Sequence, residues 1–246
     1  AEGLVDHWTN ADKTAATLVE VNCETDFVAR NDQFQGFVEE VTEAIGEAGI
    51  ASIDELEDVE VGGTPVPEEV NEQISTLGEN VNIRRIERID NPDGTIGAYI
   101  HAGSQIGVLV SVDVDGDAQD DDVQRFARDV AMHIAAMNPP YLSPEQIPDE
   151  DLEAQKEVYA SQMEEQGKPD HIIPQIVEGK MGKWKSENSL LDQPFVKDSD
   201  RTVGELQEDR GNVELVSFTR FEVGEGIETD DDEENFAEEV ADQLDD

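Results

Sequence analysis

TAATLVEVNCETDFVARND, residues 14–32, is the stretch on which the fold turns. Its first nine residues alternate apolar and polar side chains, the period of two expected of a half-buried strand. The following CETDFVAR, residues 23–30, reads as a loop, and Asn31 or Asp32 then supplies a helix cap. Phe34, Phe37, Val38, Val41 and Ile45 recur at i, i+3, i+4, i+7 and i+11 beyond it, the apolar stripe of a helix that stops near Gly46 and Gly49. Strand, tight loop and helix form the opening unit.

Working outward, residues 51–67 carry acidic side chains with Gly62, Gly63, Pro65 and Pro67 and read as irregular connection, followed by a short helix over 68–77. GENVNIRRIERI, residues 78–89, is extended, with Val81, Ile83 and the stem of Arg85 expected on one side. The turn Asn91-Pro92-Asp93-Gly94 leads into extended runs at 96–101 and 106–114, an antiparallel meander. Asp121 or Asp122 is the expected cap of a second helix, whose apolar side is Val123, Phe126, Val130, His133, Ile134 and Met137 and which ends at Pro139-Pro140. LVEVN with the Phe34 helix and VLVSVD with the Phe126 helix superimpose at a spacing of about 92 residues with one small gap, which suggests an internal duplication.

Two further helical stretches, 149–166 and 170–186, flank Gly167-Lys168-Pro169, a turn short enough to make a hairpin. Val158, Ala160 and Met163 are expected to face Ile172, Ile176 and Met181 across it. Strand character returns at 193–196 and 213–223, and residues 229–246 read as an acidic helix with an apolar stripe of Phe236, Val240 and Leu244. The fold class is α+β: two subdomains, each with a small antiparallel sheet packed by helices, plus an inserted antiparallel helical hairpin and a C-terminal helix. The boundaries are 1–92 for the first subdomain, 93–140 with 188–228 for the second, 141–187 for a coiled-coil-like hairpin and 229–246 for the C-terminal module.

The 246 residues include 16 Lys and Arg against 61 Asp and Glu, a formal net charge of −45. Such a chain lacks the basic surface that a phosphate backbone or an anionic lipid surface requires, so no direct nucleic acid and no membrane partner is expected. Apolar runs such as residues 106–112 are strand-sized and far below the roughly 20 residues of a membrane span. The acids are spread along the whole chain as a solvated coat, which repels itself at low salt and is screened at molar salt, where the Debye length is about 3 Å. A salt-rich cytoplasm is the expected setting. Cys23 is alone, which excludes an intrachain disulfide and Cys-rich zinc spacing and fits a reducing compartment. The segment after Ala1 has neither the basic nor the apolar region of a secretory signal, and with no initiator Met a preceding segment is expected.

No Walker or Rossmann glycine loop is present, since VGEGIE at 223–228 lacks the spacing and the following Lys. The run from Asp113 to Asp117 departs from a calcium loop, and His7, His101, His133 and His171 lack metal-ligand spacing. With no GxSxG, no evident His partner for Cys23 and carboxylates too abundant to single out a pair, the chain is not read as an enzyme, and no metal or cofactor is expected. Thr25-Asp26-Phe27-Val28 stands out instead. Either Phe27 folds inward while Asp26 caps a turn, or the ring is a wedge for a partner's pocket with the carboxylate at its rim. His101, ending Gly97-Ala98-Tyr99-Ile100, is open in the same way between local hydrogen bonding and contact. Arg84, Arg85 and Arg88 form a basic island, with Glu79 and Glu87 as the expected pairing partners.

Taken together, LVEVNCETDFVARND (18–32), GENVNIRRIERI (78–89), IGVLVSV (106–112), AMHIAAMNP (131–139), DQPF (192–195), TVGEL (202–206) and FTRFEVGEGIE (218–228) resemble the elongation factor Ts family, in the family's order over nearly the whole chain. The resemblance implies a guanine nucleotide exchange factor that binds elongation factor Tu in its GDP-bound and nucleotide-free forms. In the family the TDF loop enters the partner's G domain and disturbs the magnesium and phosphate end of the GDP site. Carried to matching positions, Phe27 is the wedge and Asp26 its polar companion, with Thr25, Val28 and His101 as further partner-binding residues. The alternative is an acidic module that binds elongation factor Tu without exchange; a hydrolase is a remote third reading.

Two departures stand out. The chain starts where the family's small N-terminal helical module would end, and Gln105 occupies the position just before IGVLV where a basic residue is usual. Family members form one-to-one or two-to-two complexes, so a homodimer stays open.

Overall fold

The computed structural model describes residues 1–227; the C-terminal helix expected over 229–246 lies outside them. In chain order the elements are β1 (Glu2–Thr9), β2 (Ala15–Cys23), α1 (Asp26–Ala29), α2 (Asp32–Ala48), β3 (Glu60–Val61), β4 (Thr64–Pro65), α3 (Val66–Leu77), β5 (Asn82–Asp90), β6 (Gly94–Ile100) and β7 (Ile106–Val114). After them come α4 (Asp121–Met137), α5 (Asp149–Glu165), α6 (Ile173–Glu187), β8 (Pro194–Phe195), β9 (Asp198–Thr202), α7 (Val203–Arg210) and β10 (Val213–Glu222).

Two three-stranded antiparallel sheets dominate, in orders β1-β2-β5 and β10-β7-β6. In each, a hairpin leads into a long helix and a third strand returns beside the hairpin's second strand, so one ββαβ path is drawn twice. The fold is α+β, as the sequence indicates. Val19, Val21 and Cys23 of β2 pack with Phe34, Phe37, Val38, Val41 and Ile45 of α2. Val108, Val110 and Val112 of β7 pack with Phe126, Val130 and Ile134 of α4. Between the sheets, Val5, Ala16 and Leu18 meet Ile96, Leu109 and Phe221 in a third cluster. A side chain at Gly107 would strike Val5 and Leu18, so this glycine sets how closely the sheets approach. The order of layers is helix, sheet, sheet, helix.

This layering corrects the half-buried reading of β2. Every residue of β2 is buried, because the second sheet covers the face that carries Ala16, Leu18 and Glu20. Helix boundaries are also refined. Helix α2 runs through Gly46, where Trp8 occupies the space a side chain would need, and ends in a left-handed cap at Gly49. Asn31 caps it as expected, accepting from the Gln33 and Phe34 amides. Helix α4 is capped by Asp120, one residue before the candidates, and Met137 at its end is 48% exposed instead of part of the apolar side.

Residues 51–67 are more ordered than the irregular reading, holding a 3-10 turn (Ile53–Asp58) inside a Ser52/Glu55 capping box and the small β3–β4 pair. In β5 a bulge falls between the pairs Glu20–Arg85 and Val21–Ile83. The extra residue shifts the alternation, so Val81, Ile83 and Ile86 share the core face while Arg85 turns toward the second sheet with its guanidinium over Phe221. Helices α5 and α6 pack through Met163, Ile173, Val177 and Met181; Ile176 and Ala160 are partly buried there, but Val158 points to solvent. Helix α6 begins at Ile173 with Pro174 in its first turn, three residues later than the 170 expected. Strands β1 and β9 and helix α7 carry no strong periodicity and escape the sequence reading.

Candidate functional site

The loop 23–30 is not irregular. Thr25 is an N-cap, its hydroxyl accepting from the Val28 amide at 3.3 Å, and residues 26–29 make one helical turn. Ala29 is buried and Val28 packs against the first core, which fixes the inner side of the turn. Asp26 is not the cap; its carboxylate reaches Arg30 at 3.4 Å across the outer face. Phe27 projects from the tip with 82% of its surface exposed, the most exposed large apolar side chain among the described residues. The inward-folded reading of Phe27 is therefore wrong for the free chain. Burying a ring of this size is worth about 1.5–3 kcal/mol, so its projection needs a rigid support.

Glu79, just after α3, reaches back to provide it. One carboxylate oxygen accepts from the Glu24 and Thr25 amides at 2.9 and 3.0 Å, and the other accepts from the Thr25 hydroxyl at 2.9 Å. Desolvation raises a carboxyl's pKa, but these three donors outweigh it and hold Glu79 below the usual glutamate range. Sequence reading assigned Glu79 to the arginine island instead. The only signal was its place in GENVN, beside a motif more than 50 residues from the loop it grips.

His101 lies on a separate turn. Its backbone closes on Ile106, Gly103 and Ser104 both take positive φ (82° and 56°), and its Nδ1 lies 3.1 Å from the Tyr99 hydroxyl. The turn rests on the start of β1: Val5 donates to the Ser104 carbonyl at 2.8 Å, and the Gln105 amide donates to the Gly3 carbonyl at 3.0 Å. Because Glu2 and Gly3 pair with Cys23 and Asn22, the His101 turn and the Phe27 turn border the same end of the first sheet. A groove of about 210 Å³ lies beside this end, lined by Leu4, Asp6, Gln35, Glu39, Gly103 and Ser104. Gln105 is thus engaged within the chain at the position where a basic residue was the expected pattern.

The arginine island is also assigned differently. Glu20, wholly buried, accepts from Arg85 Nε at 2.6 Å, Arg84 at 3.0 Å, the Asn22 amide at 2.8 Å and the Gly224 backbone N–H at 3.0 Å. Arg85 also donates to the Glu222 carbonyl, Arg84 to that of Glu225, and Arg88 pairs with Asp90. Neither Glu79 nor Glu87 takes part. Three of the recognisable strings, at 18–32, 78–89 and 218–228, converge on this one carboxylate, which ties both sheets together behind the Phe27 turn.

Burial, with the Glu79 and Glu2 carboxylates nearby, pushes the Cys23 thiol up to about 11, far from a reactive thiolate. Among the described residues no group of three or more His, Cys, Asp and Glu is placed to hold a metal ion, and no helix is long and apolar enough to cross a membrane. His133 is buried, its Nε2 2.9 Å from the Gln193 side chain and its Nδ1 accepting from Val196, which explains the DQPF string structurally. A cleft of about 590 Å³ opens between β1, β6 and α4, lined by His7, Lys13, Tyr99 and Arg128 among others, but none of the five candidate residues reaches it.

Fold and site together define a two-sheet α+β protein that holds one aromatic ring out from a clamped turn. The family model described as Elongation factor TS matches residues 24–225. The chain is 46% identical over 250 residues to elongation factor Ts of Halothermothrix orenii, with 99% of this chain and 80% of that protein covered. It is 43% identical to elongation factor Ts of Methylococcus capsulatus and 40% to that of Legionella pneumophila, each with 99% of this chain and 80% of the relative covered. The chain belongs to the elongation factor Ts family.

Proposed function

We propose that this chain is a guanine nucleotide exchange factor that binds elongation factor Tu with GDP and promotes GDP release during translation elongation. Phe27 enters the partner's G domain as a wedge, Asp26 meets a donor at the rim of the pocket, and His101 makes a further contact from the adjoining turn. The chain breaks no bond in the nucleotide. Exchange follows from linkage: a protein that binds the nucleotide-free partner best must weaken nucleotide binding by the same coupling energy. The observation that carries the reading is the 82% exposure of Phe27 on a capped and clamped turn, in a chain of this family. In the same reading the four parts at 1–92, 93–140 with 188–228, 141–187 and 229–246 are the working units, and the protein acts in the cytoplasm.

Stopped-flow release of a fluorescent GDP from the cognate elongation factor Tu tests it. Acceleration by the chain supports exchange, whereas binding without acceleration leaves an acidic binding module and overturns exchange.

The charge of −45 adds a salt dependence. We read the coat as an adaptation to a salt-rich cytoplasm that the partner shares, so like charges oppose docking until salt screens them and the apolar wedge dominates. Affinity is expected to rise several-fold between about 0.1 M and about 1 M salt. A steady fall over that range, measured by titration calorimetry, would show that charge attraction drives docking.

A further inference from the structure

We infer that Glu79 is a positioning residue that pre-organises the Phe27 turn for docking, a role that rests on the exchange-factor reading above. It touches neither nucleotide nor reacting atoms. Its two oxygens satisfy the Glu24 and Thr25 amides and the Thr25 hydroxyl. Those groups would otherwise face water at the exposed end of β2, because Glu24 and Thr25 lie past the last paired residue, Cys23.

The bond from the Thr25 hydroxyl orients that hydroxyl to accept from Val28 in turn. Glu79 therefore sets the cap, the cap sets the single turn, and the turn sets the direction of Phe27. A four-residue helix has no stability of its own, since forming a first helical turn fixes several dihedrals for one hydrogen bond. Without the clamp the turn samples other conformations, among them ones that bring the Phe27 ring back onto the protein. The support itself is anchored at both ends: Glu79 lies between the left-handed cap of α3 at Gly78 and the start of β5, which pairs with β2 on both sides of its bulge.

The consequence is a specific kinetic signature. If only a fraction of free molecules hold the competent turn, apparent affinity falls by that fraction, but a molecule that has docked has its turn held by the partner. Loss of the clamp thus raises the concentration needed for half-maximal exchange and spares the maximal rate. Loss of the wedge, by contrast, lowers the maximal rate.

The experiment compares the wild-type chain with Glu79→Ala and Glu79→Gln in stopped-flow GDP release and in native-state amide hydrogen exchange. Glu79→Ala is expected to raise the half-saturating concentration about tenfold, as for a competent fraction of about one tenth, with the maximal rate within about twofold. Protection of the Val28 amide, whose acceptor on Thr25 is retained in this variant, falls as well. Glu79→Gln keeps one oxygen for the two amides and presents its NH₂ to the Thr25 oxygen, so it recovers most of both quantities.

A fall in maximal rate with unchanged half-saturation overturns the role, as does unchanged protection of the Val28 amide. If the wild-type chain fails to accelerate release, the exchange-factor reading fails, and the protection data still decide whether Glu79 orders the turn.

Discussion

Replacing Phe27 with alanine is expected to lower the maximal acceleration of GDP release by about 30-fold or more, while thermal stability stays within about 1 °C of wild type. The two halves have different origins. Buried aromatic anchors at protein interfaces carry about 2 kcal/mol or more each, and about 1.4 kcal/mol is a factor of ten in rate. The fold is insensitive because the ring is 82% exposed in the free chain and contributes almost nothing to the core. Phe27→Leu, which keeps apolar bulk but not the flat ring, should fall between the two. Stopped-flow release with thermal melts decides the matter: full activity in the alanine variant would remove the wedge, and a large drop in melting temperature would mean that the ring serves the fold instead.

The second large effect concerns the carboxylate behind the turn. Glu20→Gln is expected to cost about 3 kcal/mol of stability, in the range for breaking a buried ion pair, and to lower the melting temperature by roughly 6–12 °C for a chain of this size. Gln is nearly isosteric, so the cost is chemical. Both Glu20 oxygens accept from donors: Arg84 and Arg85 on one side, Asn22 and the Gly224 amide on the other. Whichever way an amide is turned, its NH₂ meets donors, and a guanidinium is left uncompensated.

The pH dependence has a definite sign. Burial raises the Glu20 pKa, but the hydrogen bonds from Gly224, Asn22 and Arg85, with the charge of Arg85, outweigh it and hold the carboxyl below its ordinary 4.5. A depressed folded-state pKa means that stabilisation is complete above about pH 4.5 and lost as pH falls through the folded value. The melting-temperature gap between wild type and Glu20→Gln should therefore be constant from about pH 7 to pH 5 and close as pH falls through the depressed folded value. A gap that widens in acid would contradict the assignment.

Legibility from the sequence followed the range of each interaction. The two middle strands and their helices were readable because apolar residues recur locally at the periods of the elements, and Asn31 was readable as a cap because it acts on amides two and three residues away. Strand β1 escaped because EGLVDHWT alternates poorly, and what makes it a strand is its partner β2. The bulge in β5 escaped because only the pairing with β2 reveals that two arginines oppose one glutamate.

At the site the division is the same. Thr25, Asp26, Phe27 and Val28 were singled out by composition, and family resemblance gave them roles. Whether Phe27 turned in or out was undecidable from the string, because the answer rests on a carboxylate 54 residues away.

What the sequence by itself determined is the local grammar: which stretches are strands and helices, the α+β class, the acidic coat, and through its recognisable strings the elongation factor Ts family. What only the tertiary structure decided is which charged groups meet. Glu20 joins Arg84 and Arg85 across 64 and 65 residues and Gly224 across 204, and Glu79 joins Thr25 rather than the arginines beside it. The physical reason is that periodicity reports only neighbours within a turn or a pleat, whereas a carboxylate, buried like Glu20 or partly exposed like Glu79, takes whichever donors the tertiary fold brings within about 3 Å.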